Sequence, residues 1–370
     1  MKVRRVRRIG CVLAFVAFCG ASPALAEEPM PALAETPAAE ADDWFERATF
    51  ALTHGDPAAG RAIVQQAADT GDPEALNALA LYVESGVGGE ADPLRALELL
   101  ESALAKGSQA ANLNLGLRLL GPDQSHAQHA RGAELLDEVY AESKEPMKAI
   151  AAGHLGRAYA FGLGVTRDIP KGARLLEEGA ALPEADPGVL FLAARARQQG
   201  WEGVEPDPER SAAYFRRAAE GGHPAAQWHY GMVLLHGEPK DEIGAYMWIR
   251  KAAEGGDLRG MLSTAVMLAT GEGVGENDPE ARTWYERAAN DFASAHALRG
   301  LGGMLLTGEG GAKDAARGWA YITLAADAGE EAAKVGREHF LGRVSARDRR
   351  KAKKIAPVWI AEHGKPSLLE

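Results

Sequence analysis

The sequence predicts an all-α fold: a right-handed α–α superhelix, or solenoid, of about eight to nine helix-turn-helix repeats. Three observations lead there. The tract LHGEPKDEIGAYMWIRKAAEGGD (235–257) returns, with drift, as ATGEGVGENDPEARTWYERAAND (269–291) and LTGEGGAKDAARGWAYITLAADAG (306–329). A small residue, usually preceded by Leu or Ala, recurs at Ala80, Gly116, Gly156, Ala194, Gly231, Ala265, Gly302 and Gly336, at spacings of 36, 40, 38, 37, 34, 37 and 34 residues. Asp92-Pro93, Asp207-Pro208 and Asp278-Pro279 each place a capping carboxylate before a proline whose fixed φ suits a first helical turn. Two helical patterns in each period of this length mean helix pairs. One pair cannot bury its apolar face alone, so neighbours stack to close a continuous core.

Taken in order, the chain opens with a leader. Lys2, Arg4, Arg5, Arg7 and Arg8 form a basic start, CVLAFVAFCG (11–20) is apolar, and Ala24-Leu25-Ala26 offers small residues at a cleavage site. Residues 1–26 therefore read as a secretory signal peptide, too short in its apolar centre for a good membrane span; an uncleaved anchor is the competing reading. Gly10 interrupts the apolar residues that a twin-arginine signal needs, and Phe18 stands where a lipoprotein signal needs a small residue before Cys19. Both cysteines, Cys11 and Cys19, fall inside this leader, so the mature chain has none and rests on packing alone. Loss of its five basic residues leaves 36 basic against 52 acidic side chains, a net charge of −16. That balance disfavours nucleic acid and anionic membrane surfaces as partners.

Residues 27–41 (EEPMPALAETPAAEA) lack the branched and aromatic side chains needed for a core and read as a flexible linker. Residues 42–71 read as a degenerate capping helix pair, with Trp44, Phe45 and Phe50 supplying bulk in place of a preceding neighbour. The solenoid runs over 72–342. In HPAAQWHYGMVLLHGE (223–238), Ala226, Tyr230, Gly231 and Leu234 follow the three- and four-residue steps of one helix face. A mid-helix glycine costs about 1 kcal/mol against alanine, so the recurring small residue marks a close crossing of the partner helix. Gly86, Gly162, Gly200, Gly237, Gly271, Gly308 and Gly342 are placed to end first helices in a left-handed conformation. The second helices carry RSAAYFRRAAEGG (210–222), GAYMWIRKAAEGG (244–256) and EARTWYERAAN (280–290), with Phe215, Trp248 and Trp284 as buried anchors and paired alanines facing the next pair. Residues 343–370 form a closing helix and tail, in which Val344, Ile355, Val358, Trp359 and Ile360 make an apolar stripe opposite a solvated basic face.

The small-residue centre, the Gly-x-Gly-Val turns (Gly162-Leu163-Gly164-Val165; Gly271-Glu272-Gly273-Val274) and the Trp-x-x-x-Ala-Ala stretch resemble the Sel-one-like repeat family, a subgroup of tetratricopeptide-like arrays. The resemblance covers about 72–330. It implies a scaffold rather than a reaction. One cysteine-rich branch of that family is associated with β-lactam hydrolysis, but the cysteine pair of each repeat is missing here, so the activity is not carried over.

No catalytic constellation stands out. The glycine turns follow helices rather than strands and lack Gly-x-x-x-x-Gly-Lys-Ser/Thr, so they do not cradle phosphate. His126 and His129 share a helix face without a third ligand, and no metal or cofactor is expected. Neither Gly-x-Ser-x-Gly nor His-Glu-x-x-His occurs. The expected function is an extracytoplasmic, periplasmic or secreted, protein-interaction scaffold or regulator, without enzyme activity, that binds a protein or peptide of the cell envelope. The alternative is a cell-envelope enzyme or peptidoglycan-binding accessory. By the resemblance, first helices line the concave groove. With each small centre buried, helical spacing then points offsets −3, +1, +4 and +5 toward it. These are Trp228, Met232, Leu235 and His236 in one repeat, Phe191, Arg195, Gln198 and Gln199 in the one before, and Arg157 and Phe161 before that. Packing of Phe191 and Trp228 across adjacent first helices is the competing reading.

Overall fold

The computed structural model describes residues 43–368. The expected leader and linker, 1–26 and 27–41, lie outside the described residues. Eighteen α-helices account for the regular structure there, with no strand among the described residues and one isolated parallel bridge between Ser294 and Ser367. The all-helical solenoid class thus holds.

The chain forms two compact units, divided between Pro183 and Glu184. The first contains α1 (Trp44–Thr53), α2 (Pro57–Asp69), α3 (Pro73–Ser85), α4 (Pro93–Ala105), α5 (Gln109–Leu119), α6 (His126–Glu142), α7 (Met147–Phe161) and α8 (Ile169–Ala180). The second contains α9 (Pro187–Gln199), α10 (Pro208–Glu220), α11 (Pro224–His236), α12 (Glu242–Glu254), α13 (Leu258–Thr270), α14 (Asp278–Phe292), α15 (Ala295–Thr307), α16 (Ala315–Asp327), α17 (Glu331–Leu341) and α18 (Ala346–His363). Within each unit, successive odd and even helices pack as hairpins, except α17 and α18, and each hairpin packs on the next.

The small-residue register is explained at the hairpin crossings. A side-chain carbon built on Gly231 would lie 2.5 Å from Cγ1 of Ile249, a fully buried residue of α12. Gly116 meets Leu136 in the same way, Gly156 meets Leu176 and Gly302 meets Ile322. Each large residue is a knob from the second helix, and the glycine of the first helix is its hole. The α7–α8 crossing goes further, because Gly153 faces Gly179 and Gly156 faces Gly172, so the two backbones come together directly. A different task falls to the second glycine of the turns. Side chains at Gly88, Gly164, Gly273 and Gly310, all at positive φ, would strike backbone at Pro57, His129–Ala130, Glu242 and Asp278–Pro279, the N-terminal ends of the preceding second helices. Those turns therefore set the spacing between hairpins.

Capping follows the residue chemistry closely. Asp92 and Asp207 accept hydrogen bonds from Arg95 N and Arg210 N. Gly86, Gly162, Gly200, Gly271 and Gly308 close their helices at positive φ. Several expectations are corrected. Asn277, not Asp278, caps α14, which leaves Asp278 inside the helix as the residue before Pro279. Gly237 is extended rather than left-handed (φ −75°, ψ 169°), and Gly342 is right-handed. Trp248 is only half-buried, edge-on to Tyr230 at 5.5 Å with Lys251 over its ring. The anchor there is Ile249, one residue on, which like Phe215 lies three residues before the paired alanines. Trp284 is buried as expected, at 9% exposure.

The ends also depart from the repeat. Phe50 is exposed and stacks on His54 at 3.8 Å, while Ala48, Val64 and Ala68 are the buried apolar residues of the first pair. At the other end α18 packs on α16 and α14. A side-chain carbon on Gly336 would meet only Ile322 Cδ1, at 4.0 Å, so among the described residues it marks no tight crossing. Val344 and Trp359 are buried, Ile355 and Ile360 are half-buried, and Val358 is exposed at 57%. Ser367 then bonds to Ala293 O and Ala295 N, holding the tail against the α14–α15 connection.

Candidate functional site

The described side chains that stand apart from simple repeat packing belong to the second unit, on the first helices α9, α11 and α13. Each helix is started by its own cap: Asp186 accepts from Gly188 N and Val189 N, His223 Nδ1 accepts from Ala226 N, and Asp257 accepts from Gly260 N. The pairing of α11 with α13 brings together residues 30 to 35 positions apart, one repeat along. Trp228 Nε1 donates to Ser263 Oγ at 3.0 Å, and the Arg259 guanidinium lies 4.4 Å over the Trp228 ring. Arg259 Nη1 approaches His229 Nε2 at 3.3 Å.

Aromatic stacking extends this row. The His229 ring lies flat on Phe215 of α10, 4.5 Å away at 2°, and the Phe191 ring stacks on His223 at 4.5 Å and 18°. Phe191 and His229 are 5.8 Å apart, and Trp228 meets His229 edge-on at 4.9 Å. Arg195 sits one turn beyond Phe191, its guanidinium 5.9 Å from that ring. Phe215 is fully buried; Phe191, Arg195, His223, Trp228 and His229 are half-buried. The result is a ring-lined row carrying two guanidinium groups.

Its electrostatics follow from burial. Desolvation, with Arg259, Arg195 and His223 adding repulsion, pushes His229 down to about 3. It is thus a neutral imidazole near pH 7, with Nε2 accepting from Arg259 and Nδ1 carrying the proton. Burial likewise lowers His223, whose Nδ1 must stay unprotonated to cap α11. Arg259 is partly balanced by Asp257 at 3.4 Å. Burial lowers Arg195 from the usual guanidinium range, and Arg259 lowers it further.

The expected groove residues separate into groups. Phe191, Arg195 and Trp228 enter the row. Met232 and Leu235 are half-buried against the core of the second unit. Gln198, Gln199 and His236 are exposed near helix ends, where Gln199 Oε1 accepts from Trp201 Nε1 and His236 Nδ1 lies 3.0 Å from Met232 O. Arg157 and Phe161 belong to the first unit. Arg157 Nη2 donates to Leu120 O at the end of α5, and Phe161 is 52% exposed. Packing across first helices describes Trp228 in part, since its indole is held by Ser263. Sequence reasoning missed His223, His229 and Arg259. His229 lies one residue from Trp228, and Arg259 two beyond a capping Asp, so a search of the rows facing the following repeat would have found both.

Comparison with known proteins is consistent with this architecture. The Sel1 repeat matches residues 73–108, 149–183, 189–223, 224–257, 259–291 and 295–330. The chain is similar to the chitin synthase regulator SKT5 of Saccharomyces cerevisiae, 26% identical over 62% of this chain and 34% of that protein. It is also similar to chitin synthase regulatory factor 3 of Schizosaccharomyces pombe, 30% identical over 68% of this chain and 28% of that protein. The chain thus spans about a third of the length of the curated relatives it matches. A Sel1 repeat protein from Oxalobacter formigenes shares the fold, with a TM-score of 0.50 at 22% identity, covering 84% of this chain and 97% of that one. A protective antigen of uropathogenic Escherichia coli displaying an SLR fold aligns at a TM-score of 0.43 and 18% identity, over 87% and 84% of the two chains.

Proposed function

The chain belongs to the Sel1 repeat family, and on that premise we propose that it is a protein-interaction scaffold that docks a peptide segment of another protein on the first helices of its second unit. The row of Phe191, Arg195, Trp228, His229 and Arg259 carries this reading. Half-exposed aromatic rings and guanidinium groups held by their neighbours are what binding hot spots use, because little side-chain entropy is left to lose. The two fungal relatives are named as regulators of another protein, which supports an interaction role over a reaction. No helix among the described residues is long and apolar enough to cross a membrane. Placement outside the cytoplasm rests on the expected leader. N-terminal sequencing of protein from the producing cells should begin at Glu27, and intact Met1 in the cytoplasm would overturn that placement.

The docking test uses photo-crosslinking residues placed singly at the exposed positions Gln198, Gln199 and His236, with Arg216 of α10 as the control. Discrete adducts from the first three and none from Arg216 are expected in intact cells. Equal labelling from all four positions, or none, would move the docking surface elsewhere.

A further inference from the structure

Arg195 lacks the partner that other arginines of the same unit have: Arg282 and Arg349 donate to the carbonyls of Ala312 and Leu341. Arg250 is paired with Glu254 and Glu280, Arg317 with Glu286, Arg299 with Glu330 and Arg259 with Asp257. Arg195 has no hydrogen bond or ion pair among the described residues, and its Nε is buried without an acceptor. Acidic residues outnumber basic ones 52 to 41 along the chain, yet among the described residues none forms an ion pair with this guanidinium. Its charged neighbour is instead a second guanidinium, that of Arg259. His229 beside Arg259 is neutral and acts as an acceptor toward it, so it adds no negative charge. Leaving a buried charged donor unsatisfied, beside a like charge, costs stability. A site that keeps such a cost is one whose missing partner comes from outside.

The missing partner must be an anion that fits a guanidinium fork, a carboxylate or a phosphate; of the two, the carboxylate is the one an unmodified protein segment carries. Each guanidinium sits over its own ring, Arg195 over Phe191 and Arg259 over Trp228, so apolar surface continues on both sides of the charge. An interior residue of an extended segment uses both sides; a chain terminus uses one. We propose that Arg195, with Arg259 beside it, holds an aspartate or glutamate side chain of the partner segment, whose neighbouring apolar groups lie on Phe191 and Trp228. This assignment rests on the docking reading above and gives the docked segment its chemistry.

The test uses an array of acetylated nine-residue peptides with Glu, Asp, Gln, Asn or Lys at the centre and varied aromatic or aliphatic flanks, each made both as the C-terminal amide and as the free acid. The strongest binders are then titrated in solution by fluorescence anisotropy against the full chain and its Arg195→Gln and Arg195→Glu variants. Thermal melts verify that each variant folds. Binders should carry Glu or Asp next to an apolar residue. Glu→Gln in the peptide should weaken binding about tenfold or more. Arg195→Gln should weaken binding similarly, with little further loss when both changes are combined. Arg195→Glu should shift preference toward Lys-centred peptides. Binders without acidic preference, or a Glu-over-Gln preference that survives Arg195→Gln, overturn the carboxylate assignment and leave docking standing. Arg195-dependent binding only of peptides with a free C-terminal carboxylate overturns the side-chain assignment. Failure of every peptide to bind overturns docking itself, and the assignment with it.

Discussion

Substituting Gly231 tests the knob-and-hole account of the repeat register. A methyl at this position would lie 2.5 Å from Ile249 Cγ1 and 3.1 Å from Ala245 O. The first contact is too short to survive without movement, and Ile249 is buried on all sides. Overpacking of this kind costs about 1–3 kcal/mol. Replacing a mid-helix glycine with alanine returns about 1 kcal/mol of helix propensity, so Gly231→Ala should be a net loss of about 0–2 kcal/mol. Ile249→Ala alone should cost about 2–5 kcal/mol through lost transfer energy and the cavity left behind. In that background the Ile249 contact is gone and only the 3.1 Å approach to Ala245 O remains, so Gly231→Ala should stabilise by up to about 1 kcal/mol. The cycle therefore predicts a sign reversal, with a coupling of about 1–3 kcal/mol. Native-state hydrogen exchange at α11 and α12 amides is the suitable readout, because a repeat array can open locally before it unfolds. Additivity within about 0.5 kcal/mol, or stabilisation by Gly231→Ala in both backgrounds, would refute the account.

Trp284→Ala should cost about 3–5 kcal/mol, whereas Trp248→Ala, on a half-buried ring, should cost clearly less; equal losses in urea unfolding would reject the corrected register. Arg195→Met removes an unsatisfied donor of the kind that costs about 1–3 kcal/mol, so it should raise the melting midpoint of the second unit by a few degrees at about 2–4 °C per kcal/mol. A lowered midpoint would mean that Arg195 supports the fold. Because the His229 pKa is depressed from 6.5 to about 3 on folding, its neutral form contributes stability above pH 6.5 that is lost progressively as pH falls toward 3. Unfolding measured between pH 6.5 and 4.5 should therefore fall off less steeply in His229→Gln than in the parent; parallel curves would rule out a buried neutral imidazole.

Much of the architecture could be read from residues alone, for local reasons. A capping Asp before proline and a glycine at positive φ act within a few residues of themselves, so Asp92, Asp207, Gly86, Gly162 and Gly271 take their expected roles. The small-residue centres also follow from the sequence, since a costly mid-helix glycine kept in register points to a crossing. Single-residue choices were less accessible. Asn277 takes the cap from Asp278, and Ile249 takes the core from Trp248. Neighbours on a helix differ by about 100°, so periodicity marks a stripe but not the depth of each position in it.

Gly237 escapes its expected conformation because the connection to α12 is short and differs from the Gly-x-Gly-Val turns. The expected leader and the groove residues show the same division. The expected leader is a matter of composition and is read from residues 1–26 alone. The row of Phe191, Arg195, Trp228, His229 and Arg259 is different, because its members come from separate helices of successive repeats. Their contact depends on how far each hairpin is displaced from the last, which the turn glycines and crossing knobs set together. Sequence alone determined that the chain is built of helix pairs and where local residues such as Asp92, Asp207 and Gly86 bound them. Only tertiary packing decided that two guanidiniums, neutral imidazoles and aromatic rings would meet, and that one guanidinium would be left without a carboxylate.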